Sequence, residues 1–68
     1  MYISPNFASK AAARRAIAAG EEVRLYPYGP FDKPVENGSA SVEGPWYPQP
    51  HRWWGTAMVA NGLVVKIA

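Results

Sequence analysis

Residues 51–68 read His-Arg-Trp-Trp-Gly-Thr-Ala-Met-Val-Ala-Asn-Gly-Leu-Val-Val-Lys-Ile-Ala. Two apolar runs flank Asn61-Gly62, the strongest short-range signal for a β-hairpin. The turn type decides which way the adjacent tryptophans point. A two-residue turn at Asn61-Gly62 pairs Ala60 with Leu63 and groups Thr56 and Met58 with Val65 and Ile67. A three-residue loop, Ala60-Asn61-Gly62, pairs Val59 with Leu63 through a type I turn closing in a bulge, with Gly62 left-handed. Trp53, Gly55, Ala57, Val59, Leu63, Val65 and Ile67 then share one face with no polar side chain among them. Arg52, Trp54, Thr56, Met58, Val64 and Lys66 share the other. The second register is preferred, because burying one clean apolar face is what pins register. It sends Trp53 to the core and Trp54 to the surface.

Upstream, Met-Tyr-Ile-Ser-Pro opens the chain, with room for a short strand at Tyr2–Ser4 that Pro5 ends. Ser9 to Gly20 reads as a helix of about ten residues: Ser9 is a good N-cap, alanine dominates, and Gly20 is a good left-handed stop. Its expected buried stripe is Ala13, Ala16, Ile17 and Gly20, with Phe7 packing back onto the first turn. Lys10, Arg14 and Arg15 near its start, and Glu21 and Glu22 after its end, run against the helix dipole. Exposed charges tolerate that order, and the alternative is that Lys10 and Arg14 face an acidic partner.

Glu21 to Tyr28 alternates as a strand, with Val23, Leu25 and Pro27 inward and Arg24, Tyr26 and Tyr28 outward. Pro27 marks an edge or an end. Residues 29–38 form a turn-rich loop closed by Asn37-Gly38. Ser39–Glu43 is a short strand with Ala40 and Val42 inward. Gly44-Pro-Trp-Tyr-Pro-Gln-Pro50 is a second loop, which its prolines bias to polyproline II. Trp46 and Tyr47 at its tip either stand exposed or fold back to cap the core. Short connections favour an antiparallel meander, and the only cover for one of its faces is the helix. The expected fold is α+β, residues 1–68 forming a single domain: one N-terminal helix packed on a three- or four-stranded antiparallel meander sheet.

Composition narrows the function classes. A chain of 68 residues buries only about 60% of its unfolded surface. With no cysteine and one histidine, disulfides, thiolate sites and an ordinary zinc site are excluded as staples. Three Trp, four Tyr and two Phe take their place, each removing roughly 150–250 Å² from water when buried. Alternatively, a dimer mate or partner completes the core. The net charge of +2 permits an acidic partner without demanding one. No stretch approaches the roughly 20 apolar residues of a membrane span, and no export signal is seen in the first residues. The cytoplasm is the expected compartment.

The pattern Ser-Lys-x-Ala (9–12), Ala-Gly (19–20), Gly-Pro-Phe (29–31), Asn-Gly (37–38), Gly-Pro-Trp-Tyr-Pro-Gln-Pro-His (44–51), Trp53 and Asn-Gly-x-Val-Val-Lys (61–66) resembles a group of small proteins encoded by tailed bacteriophages and prophages. Gly-Pro-x-Tyr-Pro-x-Pro-His-x-Trp is its most specific part. The resemblance covers nearly the whole chain and implies origin more than activity. Small early phage proteins often bind and redirect host machinery or block host defence. Position 46 is Trp where the resemblance leads one to expect His, which makes the loop more apolar.

Catalytic signals are absent. His51, Asp32, Ser39, Ser41 and Thr56 fit no nucleophile elbow, phosphate loop or metal-ligand pair. Neither an enzyme, a cofactor, a metal nor a small-molecule substrate is expected. The leading expectation is a protein-binding module, contacting a host protein or a second copy of itself. Its contact residues are Trp54, Met58, Arg52, Trp46, Tyr47, Tyr26, Arg24 and Lys66, the aromatic, Met and Arg types enriched at interfaces, with Lys66 as a further basic residue. The alternative is weak single-stranded nucleic-acid binding, with Trp54 as a stacking platform and Arg24, Tyr26, Arg52 and Lys66 around it.

Overall fold

The computed structural model describes residues 1–68. In chain order these form β1 (Tyr2–Ser4), α1 (Lys10–Ala18), β2 (Arg24–Tyr26), β3 (Gly38–Gly44), β4 (Trp53–Ala60) and β5 (Leu63–Ile67). One helix with antiparallel strands makes the fold α+β. Two finer expectations are corrected. The strands divide into a two-stranded ribbon, β1–β2, and a three-stranded sheet, β3–β4–β5, rather than one meander. The helix also follows a strand, so it is not the N-terminal element. The division has a local cause. β2 keeps only three residues of the 21–28 run, because Pro27 has no N–H to extend a ladder. The residues from Gly29 onward then lead away before β3 begins.

The two sheets touch edge to edge. Glu43 N–H donates to the Met1 carbonyl at 3.1 Å, and Val64 N–H to the Val23 carbonyl at 2.7 Å. The strands therefore follow one another around the core in the order β1–β2–β5–β4–β3 and back to β1. The core inside this ring is Ile3, Val23, Leu25, Val42, Trp53, Ala57, Val59, Val64 and Ile67, with Ala13 and Ala16 of the helix pressed onto it.

The helix ends as its sequence requires. Ser9 Oγ accepts the Ala12 N–H at 3.1 Å. Beyond Ala18, Glu21 N–H bonds the Ala16 carbonyl and Gly20 N–H the Ile17 carbonyl, both at 3.0 Å. That pair is a Schellman closure, with Gly20 left-handed at φ 84°. Of the expected stripe, Ala13 and Ala16 are buried and Ile17 is half-buried, while Gly20 is exposed. Arg14 turns its guanidinium onto β5, Nε donating to the Ile67 carbonyl at 2.9 Å. It is therefore a brace between helix and sheet rather than a free charge.

The hairpin combines both readings of its turn. Ala60 pairs with Leu63, with Asn61 at φ 51° and Gly62 at φ 78°. Two successive positive φ values define the tight two-residue turn that matches strand twist. The expected three-residue loop is thus corrected. However, the register shifts by one residue past Val59↔Val64, so that Met58 faces Lys66 and Ala57 faces Ile67. Val65 is the extra residue of this bulge. Without it, Lys66 would point inward and Ile67 outward; with it, Ile67 is buried and Lys66 exposed. On β5 the inward residues are Val64 and Ile67, not Leu63, Val65 and Ile67. On β4 the expected face holds: Trp53, Ala57 and Val59 are buried.

Trp53 shows how the core is keyed. Its indole N–H donates to the Phe7 carbonyl at 3.0 Å. Gly44, its cross-strand partner, lies under the ring, where a Cβ would come within 2.6 Å of the indole. Glycine there is a packing requirement.

Candidate functional site

Alternation along β4 puts Trp54, Thr56, Met58 and Ala60 on its outer row, all exposed. Opposite them on β3 stand Glu43, Ser41 and Ser39, and Lys66 of β5 lies across from Met58. Trp54 is 58% and Met58 41% exposed. Thr56, Ser41 and Ser39 are short and hydroxylated, while the charged Glu43 and Lys66 flank Trp54 and Met58.

The remaining expected contact residues do not gather there. Arg24 and Tyr26 belong to β2, in the other sheet. Arg24 lies 3.7 Å from Glu22, both side chains well exposed, a pairing that contributes little. Arg52, just before β4, borders a separate hollow with Ala8, Pro45, Gln49 and Pro50. Trp46 folds back. Its indole N–H donates to the Ile3 carbonyl at 2.8 Å, its backbone N–H to Asn6 Oδ1 at 2.9 Å, and its ring sits 4.5 Å from that of Tyr26. An indole packed against apolar surface needs an acceptor, and the Ile3 carbonyl is within reach. Trp46 is thus a cap on the β1–β2 ribbon, while Tyr47 beside it is 81% exposed. The loop also turns on itself, Gln49 N–H bonding the Trp46 carbonyl at 3.0 Å, rather than running out as polyproline II.

Beneath this loop lies a polar and aromatic cluster that sequence reasoning missed. Glu43 Oε2 is 2.7 Å from His51 Nδ1. His51 Nε2 is 3.0 Å from the Tyr2 hydroxyl, and that hydroxyl accepts the Tyr47 N–H at 2.8 Å. With Glu43 ionised, Nδ1 carries the proton. In the neutral ring Nε2 then accepts from the Tyr2 O–H, and every donor has an acceptor. Tyr28 stands beside the same carboxylate. Its phenol is pushed well above the ordinary 10.0, first by loss of surrounding water, then by the nearby Glu43 carboxylate, with Tyr2 and Asp32 adding to the field.

The rings around it meet edge to face: Tyr2 and Tyr28 centroids lie 4.6 Å apart at 78°, Tyr2 and His51 5.5 Å apart at 79°. Alternation along β3 makes Glu43 legible as an outward residue, and alternation after β2 does the same for Tyr28. Their convergence with His51 depends on β1 closing against β3, which no local pattern announces. The Glu43–His51–Tyr2 chain is built to hold a proton order. Tyr2 is 8% exposed and its oxygen already accepts the Tyr47 N–H, so the relay ends against the loop and clamps it. No group of three or more His, Cys, Asp or Glu side chains is arranged to hold a metal ion.

Fold and surface together define a small α+β protein with Trp54 and Met58 exposed on the outer row of β4 and a proline loop clamped onto Tyr2. No protein-family model, curated protein or solved structure matches the chain.

Proposed function

We propose that this protein is an interaction module that binds another protein through the outer face of β3–β4–β5, with Trp54 and Met58 as anchors. The observation that carries this reading is that the two large apolar side chains stand outward four residues apart on one strand, at 58% and 41% exposure. Exposed Trp and Met in such a setting are interface residue types. Lys66 supplies a charged rim.

In keeping with the phage-like sequence pattern, the partner is a protein of the bacterial host, met in the cytoplasm, whose machinery or defence the module redirects. Self-association through the same face is the other protein-binding outcome. Single-stranded nucleic acid draws less support. Arg24 and Tyr26 lie on a different sheet from Trp54, and the cross-strand neighbour of Trp54 is a carboxylate, Glu43, which repels phosphate.

The test is a tagged pull-down from host lysate with wild type and Trp54→Ala side by side, joined to light scattering of the purified protein. A host protein captured by wild type and lost with Trp54→Ala supports the reading. A doubled mass that Trp54→Ala returns to monomer assigns the face to a second copy. A monomer that captures nothing, or captures equally with the variant, ends it. Oligonucleotide binding that weakens steeply with salt would favour the nucleic-acid alternative.

A further inference from the structure

Beside the contact face is a concavity of ≈ 370 Å³ lined by Tyr2, Tyr28, Glu43, Tyr47 and His51. It adjoins Trp54, because Glu43 and Trp54 are cross-strand partners. Three phenol rings, one carboxylate and the His51 imidazole form its walls, and no Lys or Arg is among them. Two carboxylates, Glu43 and Asp32, act on the Tyr28 phenol to keep it protonated. Glu43 accepts from His51, which uses one of about four lone-pair positions on a carboxylate. The others are left for a donor arriving from solvent. The Tyr47 ring, 81% exposed, is the outermost wall and the largest free π-face.

We propose that this concavity seats an arginine side chain of the protein partner, its guanidinium stacked on the Tyr47 ring and donating to the free lone pairs of Glu43. The chemistry favours arginine over other cations. A guanidinium is planar, weakly hydrated and forked, so it stacks and hydrogen-bonds at once. An ammonium loses the stacking area, and a quaternary ammonium has no proton for Glu43. The ring faces add cation–π attraction. His51 and Tyr2, in the same wall, hold Glu43 and the loop in position.

The proposal rests on reading the adjoining β4 face as a protein contact, but its test needs no partner. Amide NMR spectra of the full chain are titrated with N-acetyl-arginine methylamide and with the matching derivatives of citrulline and lysine. Saturable shifts at Tyr28, Glu43, Tyr47 and His51 are expected with arginine and none with neutral citrulline. Tyr47→Ala alters only an exposed side chain and leaves its backbone N–H to Tyr2 in place. It is expected to weaken binding about two- to fivefold, the range of an exposed cation–π contact. Glu43→Gln should remove the charge-dependent part altogether. If that variant perturbs the whole spectrum, Tyr47→Ala carries the comparison. Equal shifts with citrulline, tighter binding of lysine, or no change with Tyr47→Ala would each overturn the assignment. Trp54→Ala should leave arginine binding intact. Arginine binding without a captured partner would therefore fail the contact-face reading while this site stands, and the converse result would do the opposite.

Discussion

Trp53 and Trp54 are neighbours with opposite duties. Trp53 is 6% exposed, bonded to Phe7 and seated on Gly44; Trp54 faces solvent. Trp53→Ala is expected to cost about 3–5 kcal/mol, much of the total for a domain this small, and to strand the Phe7 carbonyl. Trp54→Ala should stay within about 0.5 kcal/mol of wild type. Urea denaturation of the two variants decides it, and a larger loss for Trp54→Ala would invert the assignment.

Tyr28 makes a pH prediction. Its phenol titrates higher in the folded chain than in the unfolded one. A raised pKa means the folded state holds the proton more tightly, so its contribution is complete below the unfolded value and is lost as pH rises through and above it. The urea midpoint should hold steady up to mildly alkaline pH and fall beyond about pH 10, where an unperturbed tyrosine ionises. Tyr28→Phe should flatten part of that fall. The effect is modest, because Tyr28 is half exposed and solvent screens it. An alkaline decline unchanged in Tyr28→Phe would count against it.

Among the elements, the β4–β5 hairpin and α1 carry separable signals. Gly62 at φ 78° occupies a conformation that costs other residues roughly 1–2 kcal/mol, so Gly62→Ala should lose about that much. Gly44→Ala would push a methyl into the Trp53 indole and should cost about 1–3 kcal/mol by overpacking. Both losses are read from chemical denaturation, and a neutral Gly44→Ala would show that the indole can shift.

The bulge at Val65 explains why neither simple hairpin register was sufficient. Asn61-Gly62 favours the two-residue turn on its own backbone preferences, while the apolar pattern of 53–59 and Ile67 demands the opposite phase. One extra residue satisfies both. The helix was more fully legible, since Ser9, the alanines and Gly20 act within one turn of their own backbone. That Arg14 ends on the Ile67 carbonyl was not, because its partner is far along the chain.

For the molecule as a whole, the weak joints are the seams between sheets. The β1–β2 ribbon pairs three residues with three, whereas β3 and β4 pair seven with seven. Short ribbons with few ladder bonds open at lower free energy than central strands. Native-state hydrogen exchange should therefore protect the central strand β4 most and β1–β2 least. The reverse order would mean that the loop clamp on Tyr2 outweighs the ladder. The clamp is itself a whole-molecule feature. Tyr2, Tyr28, Glu43 and His51 come from four separate stretches, and Trp46 caps the ribbon from a fifth contact. As a result, the eight residues expected to form one surface divide between two sheets and a loop.

The sequence by itself determined the helix and its ends, the hairpin, the inward row of β4 and the opposite fates of Trp53 and Trp54. These follow from capping, turn chemistry and period-two alternation, all of which act over a few residues. Tertiary structure alone decided that the strands part into two sheets, that β1 closes on β3, that Trp46 turns inward while Tyr47 does not, and that three tyrosines gather around Glu43 and His51. Those outcomes depend on which backbone carbonyl or hydroxyl, forty or more positions away, is left for a donor to find. No local preference encodes that choice; it is made only when the ring of strands closes.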